Sequence, residues 1–169
     1  MGKGVKTDKL IADAAAASGT GAFDIHQIMG MIMHRYPFLL VDRVIDCVPG
    51  HHIVGLKNVS RSETFACAGS SEPTLPRLLL IEALAQISVI LTFKTLRIEP
   101  TGKELMFFAG IDDGHFDGEV QAGDVLHLRA EVVRLRKKLG WFKATAHVDG
   151  KCVAEMSMLA AIQVGEGRS

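Results

Sequence analysis

From Arg77 the chain reads RLLLIEALAQISVILTFKTL, placing apolar side chains on nearly every side of a helix that ends at Leu96. A helix apolar all round is one enclosed by protein instead of lying on a surface. Pro76 suits its first turn, because proline lacks an N–H that would go unpaired there. Elsewhere the period is two. In VLHLRAEVV, Leu126, Leu128, Ala130 and Val132 fall on one face and His127, Arg129 and Glu131 on the other. WFKATAHV and CVAEMSMLAAIQV flank Asp149-Gly150, a strong hairpin signal.

Three further segments complete the pattern. Asp24 predicts the cap of a short helix through IHQIMGMIM, with Pro37 as its stop. FLLVDRVIDCV turns at Pro49-Gly50 into HHIVGLKNVS, and ELMFFAGI is a buried-type strand. Strands, one long helix and then a meander suit a curved antiparallel sheet wrapped round that helix. This is an α+β, hot-dog architecture. Residues 1–23, rich in Gly, Ala and Lys, are expected to form a mobile tail, and residues 24–165 a single domain.

Composition narrows the function classes. Nineteen basic residues balance nineteen acidic ones, which argues against a general nucleic-acid binder. Three cysteines (Cys47, Cys67 and Cys152) form no C-x-x-C motif and suit a reduced, cytoplasmic protein. No membrane span is expected, because Glu82, Gln86 and Ser88 interrupt the longest apolar region.

Glu82 is the leading candidate for chemistry. It is an acid in the second turn of an otherwise apolar helix, where a charge without a partner is costly. The free N–H groups at the start of that helix can polarise a carbonyl. His51 and His52 adjoin in a strand and point to opposite faces, so they cannot share a metal, and neither a metal nor a cofactor is expected. Cys67 reads as a small loop residue instead of a nucleophile. Arg134, Arg136, Lys137 and Lys138 form a basic cluster, either a solvated turn or a dock for an acidic carrier protein.

MHRYPFLLVDRV (Met33 to Val44) closely resembles the β-hydroxyacyl-acyl-carrier-protein dehydratases of fatty acid synthesis, the FabZ type. GLKNVS, LIEALAQ and FAGIDDGHFDGEVQAGDVL look like further segments of that family, in order and at family spacing. The resemblance covers about residues 24–163. It implies a hot-dog dimer, often a trimer of dimers, that removes water from a β-hydroxyacyl thioester. In the family a histidine takes the C2 proton, a helix acid helps the hydroxyl leave, and the two come from different subunits.

Carried over by position, the acid falls on Glu82 and the helix glutamine on Gln86, beside the substrate. The Gly-His-Phe-Pro loop corresponds to Cys67, Ala68, Gly69 and Ser70, and the glycine after the helix proline to Arg77. The base is therefore an alanine, Ala68. The chain is expected to be a dehydratase-family member on acyl-carrier-protein or coenzyme A thioesters, weak or inactive as a homomer. A histidine-bearing paralogue would complete its site in a heterodimer. The alternatives are an acyl thioesterase using Glu82 and a non-catalytic acyl-thioester-binding subunit.

Overall fold

A computed structural model of the chain describes residues 21–63, 74–101, 104–136 and 139–163. Helix α1 (Ile25–Met31) opens on a capping box in which Asp24 and Gln27 each bond the other's backbone N–H at 2.9 Å. Strands β1 (Arg43–Val48) and β2 (His52–Asn58) follow, then helix α2 (Arg77–Leu96). Strands β3 (Leu105–Phe116), β4 (Val125–Arg136), β5 (Leu139–Val148) and β6 (Lys151–Gln163) complete the chain. All six strands pair antiparallel in the order β1-β2-β4-β5-β6-β3.

The apolar pattern of α2 is explained by its surroundings. Every residue from Ala83 to Phe93 is buried. The sheet supplies Leu126, Leu128, Ala130, Ala144 and Ala146 to the core, and Ile28, Leu40 and Val41 join from the segment before β1. Small side chains on the sheet let the helix come close. At Gly55 a Cβ would lie 2.7 Å from Ile87 Cδ1 and 3.0 Å from the Arg43 carbonyl oxygen, so glycine is required there. The buried hydroxyls are satisfied within the helix, Ser88 donating to Leu84 O at 2.7 Å and Thr92 to Ser88 O at 2.8 Å. By length and composition alone α2 would be apolar enough to cross a membrane, but 72% of its apolar stretch is buried inside the protein. In this fold it is the core helix.

Other differences have local causes. The first strand begins at Arg43 instead of Phe38, because Leu40 and Val41 turn into the core. β3 runs on to Phe116 through two irregularities, one of them around Asp113 at φ 52°. Phe23, placed in the tail by the sequence, exchanges two 3.0 Å backbone bonds with Val44. The Asp149-Gly150 hairpin forms as expected, with φ of 48° and 77°.

The sheet has two rims. Gly50 N–H bonds Thr95 Oγ1 at 2.8 Å, so the β1–β2 turn lies at the C-terminal end of α2. Arg77 lies over the Phe116 ring, 5.7 Å from its centroid, and marks the N-terminal rim.

Candidate active site

Glu82 lies one and a half turns into α2, at the N-terminal rim. Gln86, four residues on, shares its face and donates to Glu82 Oε1 at 2.9 Å. A second donor arrives from far along the chain, since His34 Nε2 is 3.2 Å from the same oxygen. Among the described residues nothing else reaches the carboxylate, which leaves Oε2 without a partner. The His34 contact, opposed by burial and aided by Gln86, holds the Glu82 carboxyl below the usual glutamate range. Glu82 is therefore ionised at neutral pH, yet only 28% of its side chain is exposed.

The segment carrying His34 is fixed by the chain itself. Arg35 bonds the carbonyls of Met29 and Ile32 at 2.9 Å and that of His34 at 2.7 Å. Gln86, expected beside the substrate, is 1% exposed and ties this segment to the helix. Its carbonyl accepts from Leu40 N–H at 2.9 Å and its amide donates to Phe38 O at 2.7 Å. A cavity of about 200 Å³ begins at His34 and continues between Ile32, Val89, Phe93 and Met106. Its lining is mostly apolar. Tyr36 and Leu78 stand 86% and 76% exposed nearby in sequence, so apolar surface remains uncovered at this rim.

Arg77 opens α2 and is exposed. Among the described residues the N–H groups of Arg77 and Leu78 meet no acceptor, while those of Leu79 and Leu80 bond Pro76 O. Cys67 and Ala68 lie outside the described residues, as do Lys137 and Lys138. Arg134 rests over Trp141 at 5.5 Å. The pairing of His52 with Glu131 carries Arg134 and Arg136 beyond the β1–β2 turn, to the rim opposite Glu82. Arg134 and Arg136 and the acid therefore lie at opposite rims of the sheet.

The other histidines fall elsewhere. His51 lies in the turn, and His52 bonds the buried Asp46 at 2.7 Å. His127 and His147 are cross-strand neighbours, and burial together with His127 pushes the His147 imidazole below its ordinary value. His115 is exposed on β3 opposite Glu155. Among the described residues no group of three His, Cys, Asp or Glu side chains is placed to hold a metal. Burial pushes the Cys47 thiol up to about 11, which leaves it unreactive. His34 was not assigned a role from the sequence. The signal available was its place in the MHRYPF motif, and no local spacing links it to a residue 48 positions later.

A curved antiparallel sheet around one helix, with a carboxylate at the start of that helix, places the chain in the hot-dog class. The match to the FabA-like domain over residues 32–157 shows that it belongs to the FabA/FabZ dehydratase family of fatty acid biosynthesis. The chain is 43% identical over 140 residues to 3-hydroxyacyl-acyl-carrier-protein dehydratase FabZ of Geobacillus thermodenitrificans, covering 82% of this chain and 94% of that one. It is 44% identical over 141 residues to the FabZ of Thioalkalivibrio sulfidiphilus, covering 81% and 95%. Among solved structures, the dehydratase heterocomplex ApeI:P of Xenorhabdus doucetiae shares the fold, with a TM-score of 0.70, 18% identity and coverage of 81% and 91%. A mutant thioesterase of Pseudomonas aeruginosa does so with a TM-score of 0.61, 13% identity and coverage of 86% and 96%.

Proposed function

We propose that the chain is a cytoplasmic dehydratase subunit acting on acyl thioesters, in which Glu82 handles the water and a histidine from a partner handles C2. The observation that carries this reading is the placement of Glu82, ionised and half-buried, with Oε1 held and Oε2 meeting no partner among the described residues. In hydration, the reverse reaction, water gives a proton to Oε2 and its oxygen bonds to C3 of a 2-enoyl thioester. The C2=C3 electron pair moves toward C2, which takes its proton from the partner's imidazolium. The N–H groups of Arg77 and Leu78 suit the thioester carbonyl, which gains negative charge in that step. The cavity behind His34 suits the acyl chain.

Two features support weakness of the homomer. Ala68 stands at the position that corresponds to the family's histidine. The nearest described imidazole, His34, directs Nε2 at Glu82, and its Nδ1 is buried. It offers no lone pair to a substrate. A mixed dimer with a histidine-bearing paralogue would complete one site, Glu82 meeting the partner's histidine across the interface.

The edge strand β3 supports dimer formation, since it exposes Phe107 and Ile111 and has one neighbour, β6. Two β3 strands pairing antiparallel about a two-fold axis would bring one chain's far rim beside the other's Glu82 rim. Arg134 and Arg136 then share a rim with the partner's site, where an acidic carrier protein would dock. Light scattering should give at least twice the 18.3 kDa of one chain, and a compact monomer at micromolar concentration would contradict the pairing. Reversing Arg134 and Arg136 to Glu should weaken carrier binding and flatten its salt dependence in titration calorimetry. Unchanged affinity would return the cluster to a solvated turn.

One observation favours a second reading, hydrolysis of acyl thioesters. An ionised Glu82 with Oε2 open can take a proton from water without a second residue, and the hydroxide formed would attack the carbonyl carbon and expel the thiolate. Thiol release from a saturated acyl thioester by the chain alone, lost on Glu82→Gln, would establish it in place of the first.

A further inference from the structure

We propose that His34 is a positioning residue for Glu82: its Nε2–H donates to Oε1, fixing the carboxylate so that Oε2 is the oxygen that meets water. The inference rests on the reading of Glu82 as the working carboxylate, and it assigns that site a second residue of the same chain.

Three observations converge on it. Glu82 Oε1 is approached by His34 Nε2 at 3.2 Å and by Gln86 Nε2 at 2.9 Å, so two donors occupy one oxygen. His34 Nδ1 is buried and has no partner among the described residues. A bare ring nitrogen tolerates that position, whereas an N–H there would be a buried donor without an acceptor. Nε2 is therefore the nitrogen that carries the proton, and it faces Glu82. The imidazole is also held from behind, because Arg35 clamps the carbonyls of Met29, Ile32 and His34. His34 is thus a donor in fixed orientation and does not replace the family's base.

Among the described residues, Arg35, Arg77 and Glu104 are engaged elsewhere. Arg35 faces its own segment, Arg77 lies over Phe116, and Glu104, which lines the cavity with His34, bonds Thr101. Among the described residues His34 and Gln86 are the donors that face the carboxylate, and burial opposes them. Removing the His34 donor leaves burial against Gln86 alone. The Glu82 carboxyl must then titrate at higher pH, and the acid limb of any Glu82-dependent hydration must move up with it.

The test is carboxyl-carbon NMR on the full chain, with the Glu82 signal assigned by its loss in Glu82→Gln. In the native protein Glu82 should titrate below the ordinary glutamate range. His34→Phe should move that titration up toward or beyond the ordinary value. His34→Gln, which keeps a side-chain N–H, should move it less. Nitrogen NMR of the unsubstituted protein should show a proton on His34 Nε2, the nitrogen that faces Glu82. An unmoved Glu82 titration in His34→Phe, or a His34 ring whose Nε2 carries no proton, would overturn the assignment. The nitrogen spectrum needs no variant, so a misfolded His34→Phe would still leave a decisive result. Neither spectrum depends on turnover. A failed hydration assay would therefore count against the dehydratase reading alone, and failed spectra against His34 alone.

Discussion

Glu82→Gln is expected to lower enoyl-thioester hydration by a completed, mixed assembly about 10²–10⁴-fold, the usual contribution of a positioned acid–base group. The substitution keeps shape and removes the group that takes the proton from water. The loss should fall on kcat and kcat/KM together, because the proton moves only in the transition state. A loss below about tenfold would mean that another group handles the water. Charge supplies a second check. The Glu82 carboxyl lies below its ordinary range in the folded chain, so the stability it contributes is present above the unfolded glutamate value. That contribution is lost as pH falls through the lowered folded value, and Glu82→Gln should remove this acid-side dependence.

Gln86→Leu is expected to destabilise the chain by about 2–6 kcal/mol, which urea unfolding at fixed protein concentration will measure. Leucine fills a similar volume but cannot replace the bonds to Leu40 N–H and Phe38 O. Each buried group left without a partner costs about 1–3 kcal/mol. The same variant frees the segment before β1 from the helix and removes one donor from Glu82, so it should also raise the pH at which Glu82 protonates. A loss under about 0.5 kcal/mol, the range of ordinary surface changes, would show that this tie holds nothing together.

Much of the fold was legible because its signals are local. Helix α2 was bounded to the residue, since an apolar run of that length begins at a proline and leaves no competing period. The Asp149-Gly150 turn demands positive φ at both positions, and the sequence supplies residues that accept it. Misplaced edges arose where tertiary contacts overrode the local pattern. Leu40 reads as strand but spends its N–H on Gln86, and Val41 leaves the sheet for the core.

The site divides in the same way. The bond between Glu82 and Gln86 follows from their four-residue spacing. Glu82 was legible as a lone acid in an apolar helix, and Gln86 through the resemblance to the family's helix glutamine. His34 was not, because its contact with Glu82 depends on α1, the Arg35 clamp and the Gln86 tie all forming. The basic cluster was legible as composition, but the place of Arg134 and Arg136 away from Glu82 is set by the register of β2 on β4, which no charge pattern reports.

Ala68→His alone is not expected to restore the homomer, because the adjoining family Phe and Pro correspond to Gly69 and Ser70 and the new base would be loosely held. The most direct measurement is hydration of a trans-2-enoyl thioester by the purified chain, alone and after co-assembly with a histidine-bearing paralogue whose own Glu82 counterpart is replaced by Gln. The account predicts little or no turnover by the chain alone, and turnover in the mixed assembly that Glu82→Gln abolishes. Robust, Glu82-dependent hydration by the homomer would contradict it.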